Sequence, residues 1–241
     1  MLNALSAESL KARKNLWMMG FTVYLLPIGA VAGVLLVILM MVLGNEIDFS
    51  ETTWTGVVEG ALLLPNSFLG QVLFMAFTSS VFAGEFGWNT WKAILPRNRR
   101  LWILISKYVV IAVSILLALN ALALVALVGS WIVLSIANEP ITPALISSET
   151  AEFIRSYLIT LLSVFSTIMM ASIYAVIAAI ITRSVIGGAI AGIIMILLDS
   201  VSLPILILIQ DMTGAENLLP LYQIMPSYQI ANINSWLSSD M

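Results

Sequence analysis

Residues 16–43 read LWMMGFTVYLLPIGAVAGVLLVILMMVL, without one charged side chain. An α-helix rises about 1.5 Å per residue, so about 20 apolar residues cross the ~30 Å hydrocarbon core of a bilayer, and this stretch is long enough to span. Four more such runs follow: 60–84, 103–137 (uncharged from Tyr108), 156–182 and 184–209, the last interrupted only by Asp199. Backbone in lipid must satisfy its own hydrogen bonds, and runs of this length exceed barrel strands, so each is expected to be a helix. The expected fold is all-α: a polytopic integral membrane protein with five transmembrane helices, its 241 residues forming a single transmembrane domain.

The composition agrees. The chain is 61% apolar and 10% charged, with a mean hydropathy of +1.05, far outside soluble usage. Cysteine and histidine are absent, which removes disulfides, Cys-ligated zinc, iron–sulfur clusters and the usual haem ligands. No metal or cofactor is expected on this chain. A net charge of −3 and a pI near 4.9 argue against a nucleic-acid partner.

Lys and Arg are retained on the cytoplasmic side of membranes, so their distribution gives the orientation. Lys11, Arg13 and Lys14 precede the first run, Lys92, Arg97, Arg99, Arg100 and Lys107 separate the second from the third, and Arg183 separates the fourth from the fifth. The other side holds Glu46, Asp48, Glu51, Glu59, Glu139, Glu149, Glu152, Asp211, Glu216 and Asp240, with Arg155 as its one base. The N-terminus is therefore expected in the cytoplasm of a cell bounded by this inner (cytoplasmic) membrane, and the end of a five-span chain outside. The first run is about twice the length of a signal-peptide core and no A-x-A site closes it, so it reads as a retained span. Residues 1–16 place Leu2, Leu5, Ala12 and Leu16 on one helical face, as an interfacial helix would. Trp17, Trp88, Trp91 and Trp102 fall near the inner boundary and Trp54, Trp131, Tyr157, Tyr222 and Trp236 near the outer one, an aromatic belt in contact with membrane lipids.

The connection between the second and third runs, AGEFGWNTWKAILPRNRR over 83–100, is longer than a turn needs to be. Asn89 and Thr90 can cap a short helix whose apolar members Trp91, Ile94 and Leu95 recur at helical spacing before Pro96 ends it. Two readings stay open from physics: a docking surface for a cytoplasmic partner, and an interfacial helix resting on lipid headgroups through its Trp and Arg residues.

The string Glu85-Phe-Gly-Trp-Asn-Thr90, followed by Lys92-Ala-Ile-Leu95, Pro96, Arg99 and Ser106-Lys107, resembles the cytoplasmic loop of ABC exporter permeases, the family that includes antibiotic, lantibiotic-immunity and polysaccharide exporters. Asn89 stands where that family usually has Gly. The likeness extends to the inside N-terminal helix, the acidic outer loop, the long third span and the short turn at Arg183. It implies six spans with both termini inside, whereas five are visible here. The segment 210–241, with Pro220 and Pro226, is similar to the external re-entrant hairpin that precedes the sixth.

The resemblance implies a mechanism. The chain carries no G-x-x-x-x-G-K-[ST] loop and no catalytic motif, so ATP and Mg would be handled by separate cytoplasmic ABC ATPase subunits. Glu85, Phe86, Trp88, Thr90, Trp91, Leu95 and Arg99 would form the contact that couples ATPase closure to spans two and three. A second permease copy, or a related permease, would complete the substrate route. Within the runs, Asn66, Gln71, Asn120 and the acid Asp199 are the polar groups expected along that route, because polar groups in lipid are expensive. Pro27, Pro65 and Pro204 are expected to kink their helices, and Gly187, Gly188 and Gly192 to permit close packing. A non-transporting accessory or scaffold subunit of a membrane complex is the alternative.

Overall fold

Whether an apolar run becomes one straight helix depends on its prolines, because a proline lacks the N–H that would bond four residues back and its ring crowds that carbonyl. The structure is a computed structural model and describes residues 6, 7, 10, 20–43, 54–87, 100–136, 147–213, 219–223, 228, 229, 231, 232, 235 and 236. Every element is helical. A π-helical stretch Gly20–Leu25 leads into α1 (Leu26–Leu43); α2 (Trp54–Leu63) passes through a 3₁₀ turn, Leu64–Asn66, into α3 (Phe68–Gly87). Then come α4 (Arg100–Ile136), α5 (Ser147–Thr182), α6 (Val185–Ser200), α7 (Ser202–Thr213) and α8 (Leu219–Gln223).

Three helices are long and apolar enough to span on their own: Val23–Met40, Trp102–Val133 and Phe153–Thr182. Two further spans exist if each bent pair counts as one, α2 with α3 at 58° and α6 with α7 at 48°. The chain is thus an all-helical, membrane-embedded protein with three to five spans. Trp102 and Trp131 are 41% and 58% exposed at the two ends of α4. At helical rise they stand about 44 Å apart, the distance between the two headgroup regions of a bilayer.

The expected kinks sit at their prolines. Pro65 lies in the 3₁₀ turn, whose Ser67 N–H donates to Leu64 O at 3.0 Å. Ser67 then caps α3, its Oγ accepting from Gly70 N at 3.3 Å. A Cβ on Gly70 would stand 2.5 Å from Pro65 O and 2.6 Å from Pro65 Cα, so only glycine lets the chain double this closely. Pro204 cannot donate to Ser200 O, and the ladder breaks between α6 and α7. Pro27 follows directly on the π-helical stretch, which takes up the irregularity there.

The helices overrun the apolar runs. The second begins at Trp54 rather than residue 60 and ends at Gly87, and the fourth begins at Ser147 rather than 156. Glu59, read from sequence as a loop acid, is therefore inside α2. Lys107, read as part of the basic connection, lies two turns into α4 and is 2% exposed. Of the N-terminal interfacial helix only Ser6, Ala7 and Leu10 are described, all helical. The short helix expected after Asn89 lies outside the described residues. In the segment 210–241, Tyr222 meets Tyr228 edge-on at 5.2 Å and Gln229 Nε2 donates to Gln223 O at 2.7 Å, folding α8 together with the turn that follows it.

The chain forms two compact units. The first comprises residues 1–73 and 101–165. There α1 turns Val31 and Leu35 inward, and Leu35 fills the space that a side chain on Gly129 of α4 would occupy. The buried stripe of α4 recurs every three to four residues, through Ile111, Ile115, Ala118, Leu122, Ala126 and Ser130, while Leu116, Leu117 and Leu124 are exposed. An exposed apolar exterior of this extent is what lipid solvates.

The second unit comprises residues 74–100 and 166–241. Its core is Met75, Ala171 and Ala175, with Ile193 and Ile196 packed on it. The turn from α5 to α6 is short: Arg183 takes φ 52°, Arg183 N–H donates to Ala179 O at 2.9 Å, and Ser184 caps α6 by accepting from Gly187 N at 3.4 Å. Along the hairpin so formed, Gly188 lies on Ala179 and Gly192 on Ala175, four residues forward on α6 for four back on α5, an antiparallel register made possible by small residues on both faces. The close packing expected of these glycines is present, and Ser79 and Met75 of α3 fill the third side of the same seam.

Candidate functional site

The segment expected to meet an ATPase falls at the end of α3. Glu85 and Phe86 belong to its last turn, which continues the helix past the apolar run. Trp88, Thr90, Trp91, Leu95 and Arg99 lie outside the described residues. The helix thus delivers the chain to residue 87, and α4 receives it at Arg100.

The polar groups within the helices are all engaged in joining elements. In the first unit, Gln71 Nε2 donates to Asn66 O at 3.0 Å and lies 3.5 Å from Asn66 Oδ1. These two expected residues come together, and they close the break in the second span by occupying a carbonyl that the 3₁₀ turn releases. Asn120 on α4 accepts from the Tyr157 hydroxyl at 2.9 Å, its own Nδ2 donating to Leu116 O at 2.8 Å. One residue from Tyr157, Ser156 Oγ donates to Glu59 Oε1 at 2.7 Å, tying α5 to α2. Asn66 with Gln71 and Asn120 with Tyr157 are two separate pairs rather than one cluster.

In the second unit, Asp199 stands in the last turn of α6, and Tyr174 of α5 donates to its Oδ2 at 3.0 Å. Tyr174 lies more than a turn short of Asp199 in the antiparallel register. A side chain on a helix leans toward that helix's N-terminus, and for α5 this is the direction in which Asp199 lies. Ser202 Oγ donates to Asp199 O at 2.6 Å, so the first residue of α7 is held to the same residue. Deeper in the unit, Thr78 Oγ1 donates to Phe74 O at 2.8 Å and lies 3.2 Å from Ser172 Oγ, while Ser79 Oγ donates to Val185 O at 2.8 Å. These hydroxyls bind α3 to α5 and to the first turn of α6.

Sequence reading missed Glu59, Ser156, Tyr174 and the buried Lys107. Glu59 and Lys107 were cut off because a charge ends an apolar run. Tyr157 was read as an interface anchor and Tyr174 was passed over, although a tyrosine in an apolar run needs a partner for its hydroxyl. That requirement was the available signal. Among the described residues no group of three or more Asp, Glu, His or Cys side chains could hold a metal ion.

Compared with protein-family models, with curated proteins and with solved structures, the chain matches none.

Proposed function

We propose that this chain is the membrane-spanning permease subunit of an ATP-driven ABC exporter, with its N-terminus in the cytoplasm. One observation carries the reading: the Glu85-to-Lys107 sequence, with its acid, its aromatic pair, Pro96 and Arg99, stands between two long helices, α3 ending at Gly87 and α4 starting at Arg100. A segment set between two spans in this way can push on both. The ATPase would seat against Glu85, Phe86, Trp88, Thr90, Trp91, Leu95 and Arg99, and its nucleotide-driven closure would move the helices that flank them. Such a contact can shift an inward–outward equilibrium only if it is tighter in one state. A second permease copy or a related permease completes the route, and the few polar groups within the helices favour a hydrophobic or amphipathic substrate.

Affinity purification in mild detergent with mass spectrometry tests the reading, comparing the wild type with a Glu85→Ala, Trp91→Ala double variant. The expected result is an ATPase with a phosphate-binding loop recovered with the wild type and lost with the variant. Recovery of other membrane subunits and no ATPase would overturn it in favour of an accessory or scaffold role.

A further inference from the structure

We propose that α7 is a hinged arm that swings on the last turn of α6, with the Tyr174–Asp199 hydrogen bond anchoring the pivot. This inference stands apart from the exporter reading.

The two halves of the fifth run are built differently. α6 is gripped along its length: Gly188 and Gly192 lie in contact with Ala179 and Ala175 of α5, Met75 and Ser79 of α3 close the seam, and Ser79 holds Val185 O. A Cβ on Gly192 would come within 2.7 Å of Met75 Cε, so α6 has no room to roll or lift. The far end of this gripped helix is pinned by Tyr174 on Asp199. Beyond it the grip stops. Val201, Pro204, Ile205, Ile207, Leu208, Ile209 and Asp211 are all exposed, and Met212 is 79% exposed. Residues on every side of α7 are in that set, so no face of it is packed as α6 is.

Between the two halves sits a joint. Pro204 removes the bond to Ser200 O, and the Ser202 hydroxyl takes Asp199 O instead, leaving Val201 N–H on Leu197 O and Ile205 N–H on Val201 O to carry the ladder across. A joint of this kind can straighten without breaking a buried contact. The swing has a definite size. Met212 stands eleven residues past Val201, about 16 Å at helical rise, and unbending the 48° between α6 and α7 would carry it about 13 Å.

The test is a spin-label distance measurement on the full chain in lipid nanodiscs. One label replaces the exposed Ile173 of α5 and the other Met212, with a second pair at Ile173 and Ile190 inside the gripped body. Pro204→Ala restores the missing donor and is expected to shift the Ile173–Met212 distance toward the straightened form, by up to about 13 Å. Tyr174→Phe deletes only the anchoring hydroxyl and is expected to broaden that distribution. The Ile173–Ile190 distance should stay as in the wild type for both, which separates a swing from unfolding. An Ile173–Met212 distribution the same as the wild type in both variants overturns the proposal, and so does an equal broadening of both label pairs.

Discussion

Replacing Gly188 by alanine adds one methyl group to the tightest place in the second unit. The new Cβ would stand 2.8 Å from Ala179 Cα and closer still to Ser79 Oγ. Backbone cannot yield as a flexible side-chain tip does, so α6 must back away from α5 by several tenths of an ångström. Overpacking of this sort costs about 1–3 kcal/mol. The shift also stretches the 2.8 Å bond from Ser79 to Val185 O, which at the average for hydrogen bonds between membrane helices is worth about 0.6 kcal/mol. Against this stands the helix-propensity gain of alanine over glycine, about 0.8–1.0 kcal/mol. Strain wins, and a net loss of about 1–3 kcal/mol is expected, or about 4–10 °C in Tm for a domain of this size. Gly33→Ala supplies the control, because nothing lies within 4 Å of its Cβ position. Thermal unfolding of detergent-purified protein, followed by size-exclusion chromatography, should show Gly188→Ala well below the wild type and Gly33→Ala at or above it. Equal midpoints for the two alanine variants would refute the glycine-register account of the α5–α6 hairpin.

Other sites give further outcomes. Gly70→Ala drives a Cβ onto the Pro65 backbone, so it should lower Tm more than Gly188→Ala, and an unchanged midpoint would mean that the bend in the second span is not held by that contact. Arg183 takes φ 52°, where an L-residue costs about 1 kcal/mol, so Arg183→Gly should raise the unfolding midpoint by about 2–4 °C. A double-mutant cycle of Asn120→Leu and Tyr157→Phe, read by the same assay, should return a coupling of about 0.6 kcal/mol, whereas strictly additive losses would show that the hydroxyl does not depend on Asn120.

The spans were legible because length in lipid is a hard constraint: an apolar run of 20 or more residues has one cheap conformation. Pro65 and Pro204 likewise announced their breaks. The buried face of each helix was not legible, and the cause is the solvent. On α4, Leu119 and Leu122 are buried while Leu116 and Leu117 are exposed, and no hydropathy pattern distinguishes them when the outside is as apolar as the inside. Only the small and polar members of the stripe, Ser106, Ser114, Ala118, Ala126 and Ser130, mark the inward side. Glu59 and Lys107 were misplaced for a related reason, since a run defined by the absence of charge must stop where a helix tolerates one. Asp199 stood out as the acid of the fifth run. Its partner Tyr174 is twenty-five residues away and is brought near only by the antiparallel register that Gly188 and Gly192 set. Asn66 and Gln71 were visible as polar residues, but their joint task of closing a broken helix required knowing where the break falls.

The central claim concerns what the segment after α3 touches in the cell. A photo-crosslinking amino acid in place of Trp91, activated in intact cells and followed by mass spectrometry of the adducts, tests it most directly. The exporter reading predicts an adduct with a protein that carries an ATP-binding phosphate loop, weakened when Glu85→Ala is introduced alongside. Adducts confined to lipids, or to other membrane subunits without such a loop, would contradict it.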